Sequence, residues 1–207
     1  MTDLLTADRL VVNQRPKLVE LTNQYVIRDA QGQEIGFMQQ EGQSKLRKVL
    51  RFATDVDQFL THRLALYDTD GNKLLQLVRP AKIFKSKFSV EDGNGNSIGS
   101  IVQRNVFGKI GFELLNPGGG ELGRIQAENW RAWDFAIVDN DGKEIGRIDK
   151  KFVGVLKAVF TPADNYIVDI DPTLEGEIRL LTIAAAIAVD TALKQDARGF
   201  SLTDVIE

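Results

Sequence analysis

Apolar and polar residues alternate along short runs of this chain, and each pair of runs flanks the same turn signal. "YVIRDAQGQEIGFMQQ" from Tyr25, "LALYDTDGNKLLQLVR" from Leu64 and "FSVEDGNGNSIGSIVQ" from Phe88 share one pattern. "FELLNPGGGELGRIQA" from Phe112 and "FAIVDNDGKEIGRIDK" from Phe135 repeat it. Period-two alternation, as in Phe135 and Ile137 against Ala136 and Val138, predicts strands with one buried face. The turn pairs are Asp29/Gly32, Asp68/Gly71, Asp92/Gly95, Asn116/Gly119 and Asp139/Gly142. An Asp or Asn side chain caps such a turn, and glycine at the fourth position adopts positive φ. The combination predicts a type I turn closed by a left-handed residue in a bulge, a common hairpin connection.

From Asp68 onward the turns recur about every 24 residues, the length of one hairpin, whereas a propeller blade needs about 40. An insertion around residues 41–60 separates the first unit from the rest. Ten or more antiparallel strands then have to curl or close. The last part of the chain changes character. Asp171-Pro172 suits a helix start, and "LLTIAAAIAV" (180–189) is apolar on every side. That run is half the roughly 20 residues of a membrane span, and Arg179 and Asp190 bound it. We therefore expect a helix over about 173–196 threaded through the interior of the sheet. Leu180, Leu181, Ile183, Ala184, Ile187 and Ala188 would form its core contacts, with 197–207 as a tail.

Charge and composition remove several functions. A net charge of -3 argues against a general nucleic-acid grip, and the absence of cysteine excludes disulfides, thiolate metal sites and cysteine nucleophiles. "MTDLLTADRL" lacks a signal-peptide pattern, so the expected location is cytoplasmic. The turns are not calcium loops: counting back from Gly142 or Gly71 puts Ile137 or Leu66 at the first ligand position. "GNSIG" (95–99) matches the hydrolase elbow, but Ser97 stands in a hairpin register and the single histidine, His62, precedes it. No acid/base pair converges, and the chain is expected not to be an enzyme. Two basic stretches remain. "SKLRKVLRFA" carries Lys45, Arg47, Lys48 and Arg51, and "RPAKIFKSKF" carries Arg79, Lys82, Lys85 and Lys87. Both suit an anionic membrane surface, and lysines guarding a strand edge are the competing explanation.

Taken in order, several segments resemble the phospholipid scramblase family and its LURP-one-related and Tubby-like relatives. "LQLVRPAKIF" (75–84) is similar to the family strand ending in Arg-Pro, and "IGSIVQ" (98–103) to its I-G-x-V-x-Q segment. "IGRIDKKFVGVLKAVFTPADNYIVDID" (145–171), followed by the apolar helix, is similar to the family's I-G-x-I-x-K, A-F-T-D-A-D-N-F and helix order. The resemblance covers residues 10–195 and implies a single domain over 1–207. The implied fold is mainly β: a closed antiparallel β-barrel of about twelve strands around a central hydrophobic C-terminal α-helix. The resemblance implies calcium-linked movement of phospholipids across bilayers; the expectation for this chain is a peripheral phospholipid-binding monomer at the cytoplasmic membrane surface without autonomous flipping, its protein partners left open. A soluble Tubby-like binding or scaffold barrel is the alternative. The family's calcium loop maps onto Asp164, Asn165, Asp169 and Asp171. Pro162 replaces its leading acid, so calcium is expected to bind weakly and no other cofactor is implied.

Overall fold

The computed structural model describes residues 3–14, 25–41, 61–80, 86–105, 110–129, 134–149 and 165–200. Twelve strands form one closed antiparallel barrel in sequence order. They are β1 (Arg9–Gln14), β2 (Tyr25–Arg28), β3 (Glu34–Glu41), β4 (His62–Asp68), β5 (Lys73–Arg79) and β6 (Lys87–Asp92). There follow β7 (Ser97–Gln103), β8 (Gly111–Leu115), β9 (Glu121–Asn129), β10 (Asp134–Asp139), β11 (Glu144–Asp149) and β12 (Asn165–Ile170). The first strand closes the barrel against the last, with Arg9 opposite Asp169 and Val12 opposite Tyr166. Closure leaves no strand edge unpaired, which removes the edges that invite aggregation.

Each repeated turn has the expected local chemistry. Gly32, Gly71, Gly95, Gly119 and Gly142 take φ between 82° and 88°. At the first of them Gly32 N donates to Asp29 O at 3.0 Å and Asp29 N to Gln33 O at 2.9 Å. Asp29 Oδ1 accepts from Gln31 N at 3.0 Å and from Gln33 N at 2.9 Å, the side-chain cap expected of the turn. Register shifts at Ile27/Arg28, Leu66/Tyr67, Val90/Glu91, Leu114/Leu115 and Ile137/Val138 mark the bulges beside the turns. Ser97 opens β7 directly after one such turn, so "GNSIG" is part of a hairpin and not a strand-to-helix elbow.

The inward faces converge on one core. Phe88, Phe112, Phe135 and Leu66 are completely buried, each contributing about 1.5–3 kcal/mol of apolar burial. The helix α1 (Gly176–Phe200) fills the axis. Leu181, Ile183, Ala184, Ala185, Ala186, Ile187, Ala188 and Val189 are at most 2% exposed, and Leu180 packs part-buried against the same core. Burial on every side explains why the run shows no polar face. Small residues let the wall approach the helix closely. A Cβ at Gly146 would lie 3.1 Å from Thr182 Cγ2, and one at Gly99 would lie 3.2 Å from Leu181 Cδ1.

The helix boundaries differ from the expected 173–196. Asp171 accepts from Thr173 N at 2.9 Å and from its hydroxyl at 2.6 Å, and Leu174 N donates to Asp171 O. These bonds hold the chain in a turn until Gly176. At the other end the helix continues through Gly199 to Phe200.

Candidate functional site

Antiparallel order gives the barrel two unlike rims. All five D-x-x-G-type turns lie at one, together with the start of the helix. The other rim holds Gln14, Tyr25, Glu41, His62, Arg79, Lys87, Gln103, Gly111, Asn129, Asp134, Asp149 and Asn165, where strands end or begin. Charge follows this division. The hairpin rim exposes Asp3, Asp8, Glu34, Asp70, Asp141, Glu144, Glu175 and Glu177, with Arg9 and Lys143 as counterions. At the opposite, open rim the exposed charged residues among those described are Arg63, Lys87 and Arg104. Among the described residues, the exposed charges are thus mostly acidic at the hairpin rim and basic at the open rim, where Glu41, Asp134 and Asp149 are half-buried.

Of the basic candidates, Lys87 is exposed at the start of β6, where a surface contact needs it. Arg79 does not point outward and is corrected here. It is 1% exposed, because Leu75, Leu77 and Arg79 share the inward face of β5 under the period-two rule. Its strand partner is His62, also buried, whose Nδ1 lies 2.7 Å from Gln40 Nε2. Lys45, Arg47, Lys48, Arg51, Lys82 and Lys85 lie outside the described residues.

The calcium candidates do not converge. Asp164 is outside the described residues. Asn165 begins β12 at the open rim and Asp169 lies four residues along it, about 13 Å away. Asp169 meets Arg9 Nε at 2.5 Å, and Asp171 meets Lys143 Nζ at 2.7 Å. The Lys143 bond, with those from Thr173, holds the Asp171 carboxyl far below the usual carboxylate range. Two paired carboxylates and a distant amide do not make the six to eight oxygens calcium takes. No group of three or more His, Cys, Asp or Glu among the described residues is placed to hold a metal.

Two fixings of the helix were not singled out from sequence. At the hairpin rim Arg179, nearly buried, donates to Leu5 O at 2.7 Å, Ala7 O at 3.0 Å and Leu174 O at 3.2 Å. Toward the open rim the buried Tyr25 hydroxyl donates to Asp190 Oδ2 at 2.6 Å. Tyr166 lies beside them, and burial, then the Asp190 charge and Tyr25, push its hydroxyl pKa well above ordinary tyrosine. The signal was available: Arg179 and Asp190 are eleven residues apart, three helical turns, and so share a face about 16 Å apart.

A closed twelve-stranded barrel around an apolar helix, in the motif order given above, points to one lineage. The Scramblase family profile matches residues 1–193. The chain belongs to the scramblase family. It is 25% identical over 222 aligned positions to a phospholipid scramblase family protein of Schizosaccharomyces pombe, covering 97% of this chain and 56% of that protein. It is also 25% identical over 179 positions to altered inheritance rate of mitochondria protein 25 of Saccharomyces cerevisiae, covering 73% of this chain and 53% of that protein. This scramblase-family chain thus spans little more than half the length of either relative. No solved structure matches it.

Proposed function

We propose that this scramblase-family chain is a non-enzymatic phospholipid-binding protein, monomeric and peripheral at the inner face of the cytoplasmic membrane, which meets anionic lipid with its open rim. The observation that carries the reading is the segregation of exposed charge among the described residues: Arg63, Lys87 and Arg104 are exposed at one end, and the exposed acids lie at the other. An anionic surface attracts each nearby basic residue by about 1 kcal/mol, and an acidic far end orients the approach. The sequence between β3 and β4 and between β5 and β6 also carries Lys45, Arg47, Lys48, Arg51, Lys82 and Lys85. No helix among the described residues is long and apolar enough to cross a membrane. A barrel filled by its own helix offers no polar passage for a headgroup, so the reading is surface binding without autonomous lipid flipping and without a need for calcium.

Vesicle co-sedimentation tests it. Binding to phosphatidylserine-containing vesicles, absent with pure phosphatidylcholine and weakened by salt, is the expected result. Lack of binding to any anionic vesicle would leave the soluble binding barrel as the reading. In liposomes carrying a fluorescent phospholipid, dithionite should leave the inner-leaflet signal intact. Protein-dependent loss of that signal from non-leaking vesicles would overturn the no-flipping part.

A further inference from the structure

A second feature of the open rim lies on the outer wall, across β7, β8 and β9. The outward side chains there follow the pleat: Arg104 just beyond β7, Gly111 and Glu113 on β8, and Arg124 and Gln126 on β9. Register places them as neighbours. Arg104 N donates to Gly111 O at 2.8 Å, Gly111 is opposite Gln126, and Glu113 is opposite Arg124. Gly111 thus omits a side chain from the middle of this group. The result is a depression of about 450 Å³ lined by Arg104, Asn105, Ile110, Gly111, Arg124 and Gln126, among others.

Backbone conformation does not call for glycine at this position, since Gly111 is not among the residues with positive φ. A Cβ there would meet Ile125 O at 3.3 Å and Asn105 Oδ1 at 3.9 Å, a tight but not prohibitive fit. The floor is built: Asn105 Oδ1 accepts from Gly111 N at 3.0 Å, and the buried Gln103 amide donates to Asn105 O at 3.1 Å. The two guanidiniums meet carboxylates through Nε, Arg104 with Glu113 and Arg124 with Glu121, each at 3.0 Å. Among the described residues, no acceptor meets their Nη atoms. Planar, paired donors of this kind favour phosphoryl oxygens, which they can bind in bidentate fashion.

We propose that this depression binds a phosphomonoester, with Arg104 and Arg124 on its oxygens and the Gln126 amide beside it. The acceptor count sets the preference. A phosphomonoester offers three terminal oxygens to these guanidinium donors, whereas a phosphodiester offers two. Pockets of this volume hold small ligands or headgroups. The same phosphoryl chemistry occurs in the headgroup of phosphatidic acid and in free phosphate. As a headgroup site it rests on the membrane reading above, and it gives that reading a lipid preference.

The test uses the full chain and three probes: phosphatidylcholine vesicles doped with phosphatidic acid, the same vesicles doped with phosphatidylserine, and inorganic phosphate. Arg104→Gln/Arg124→Gln should weaken phosphatidic acid binding by about tenfold or more, given the strength of hydrogen bonds to charged groups. Gly111→Val keeps every charge but fills the gap, and it should do the same. Arg63→Gln/Lys87→Gln, at the same rim but outside the depression, should weaken both anionic vesicles equally. Circular dichroism and thermal midpoints show whether each variant is folded. If Gly111→Val is misfolded, Gln126→Leu takes its place as the charge-neutral variant. Inorganic phosphate that raises the wild-type midpoint but not that of Arg104→Gln/Arg124→Gln, with no vesicle binding, assigns the site to a soluble phosphoryl compound and rejects the membrane reading alone. Folded variants that bind phosphatidic acid and phosphate as the wild type does overturn the site. Binding of phosphatidylserine without discrimination by these variants overturns the site and leaves the membrane reading standing.

Discussion

Replacing Arg179 with leucine asks whether the helix is clamped into the barrel by backbone carbonyls or by an ion pair. The guanidinium reaches three carbonyl oxygens within 3.2 Å, those of Leu5, Ala7 and Leu174. Hydrogen bonds to a charged group contribute about 1.5–3 kcal/mol each, a gross loss of about 5–9 kcal/mol. Leucine burial returns about 1.5–3 kcal/mol, and water at the rim recovers part of the rest. A net cost of about 3–4 kcal/mol remains, in line with removing one member of a buried charged network. For a domain near 200 residues this lowers Tm by about 6–16 °C. Asp8 is the control. It lies 3.4 Å from Arg179 with its side chain 57% exposed, so Asp8→Asn should cost well under about 1 kcal/mol. Urea and thermal unfolding of both variants decide the matter. A cost below about 1 kcal/mol for Arg179→Leu, or equal costs for the two, would refute the carbonyl clamp.

Tyr25→Phe removes the donor to the buried Asp190 carboxylate and should destabilise by about 1–3 kcal/mol with no change in secondary structure, read by urea unfolding and circular dichroism. Asp171→Asn tests proton linkage: its carboxyl pKa is depressed in the fold, so the wild-type advantage is present above the unfolded value of about 4 and fades as pH falls below it. A difference in urea midpoint between the two proteins that is the same at pH 7 and pH 3 would contradict that linkage. Calorimetric titration should show no micromolar calcium binding at the Arg9- and Lys143-paired carboxylates. Stoichiometric binding abolished by Asp169→Asn would restore a calcium site there.

Turn chemistry and the period-two pattern made the wall of the barrel legible, because each hairpin is specified within about 24 residues of sequence. The helix was legible from an apolar run too short for a membrane and too uniform for a surface. Arg79 shows where local reading fails: its charge suggested the outside, but parity with Leu75 and Leu77 turns it inward. The same parity, applied strictly, would have corrected it. Placement of Arg104 and Arg124 on one depression was not legible, since twenty positions separate them and β8 lies between their strands in the register. Spreading of Asn165 and Asp169 along β12, with Asp171 in the turn beyond it, was hidden for the opposite reason: nearness in sequence resembled a loop.

The seam between β1 and β12 has a consequence for the order in which the protein can be made. Each later strand pairs with its predecessor, but the outer edge of β1 must wait for β12, about 150 residues later. At ribosomal rates of about 5–20 residues per second, that interval lasts roughly 8–30 s. Throughout it the growing sheet has two open edges, and its concave apolar face lacks the helix that fills it. A nascent chain halted before Asn165 would stay in that state indefinitely, as a template for other strands. Synthesis of this barrel should therefore depend on holding chaperones more than its small size suggests, and premature stops should yield aggregates instead of shortened barrels.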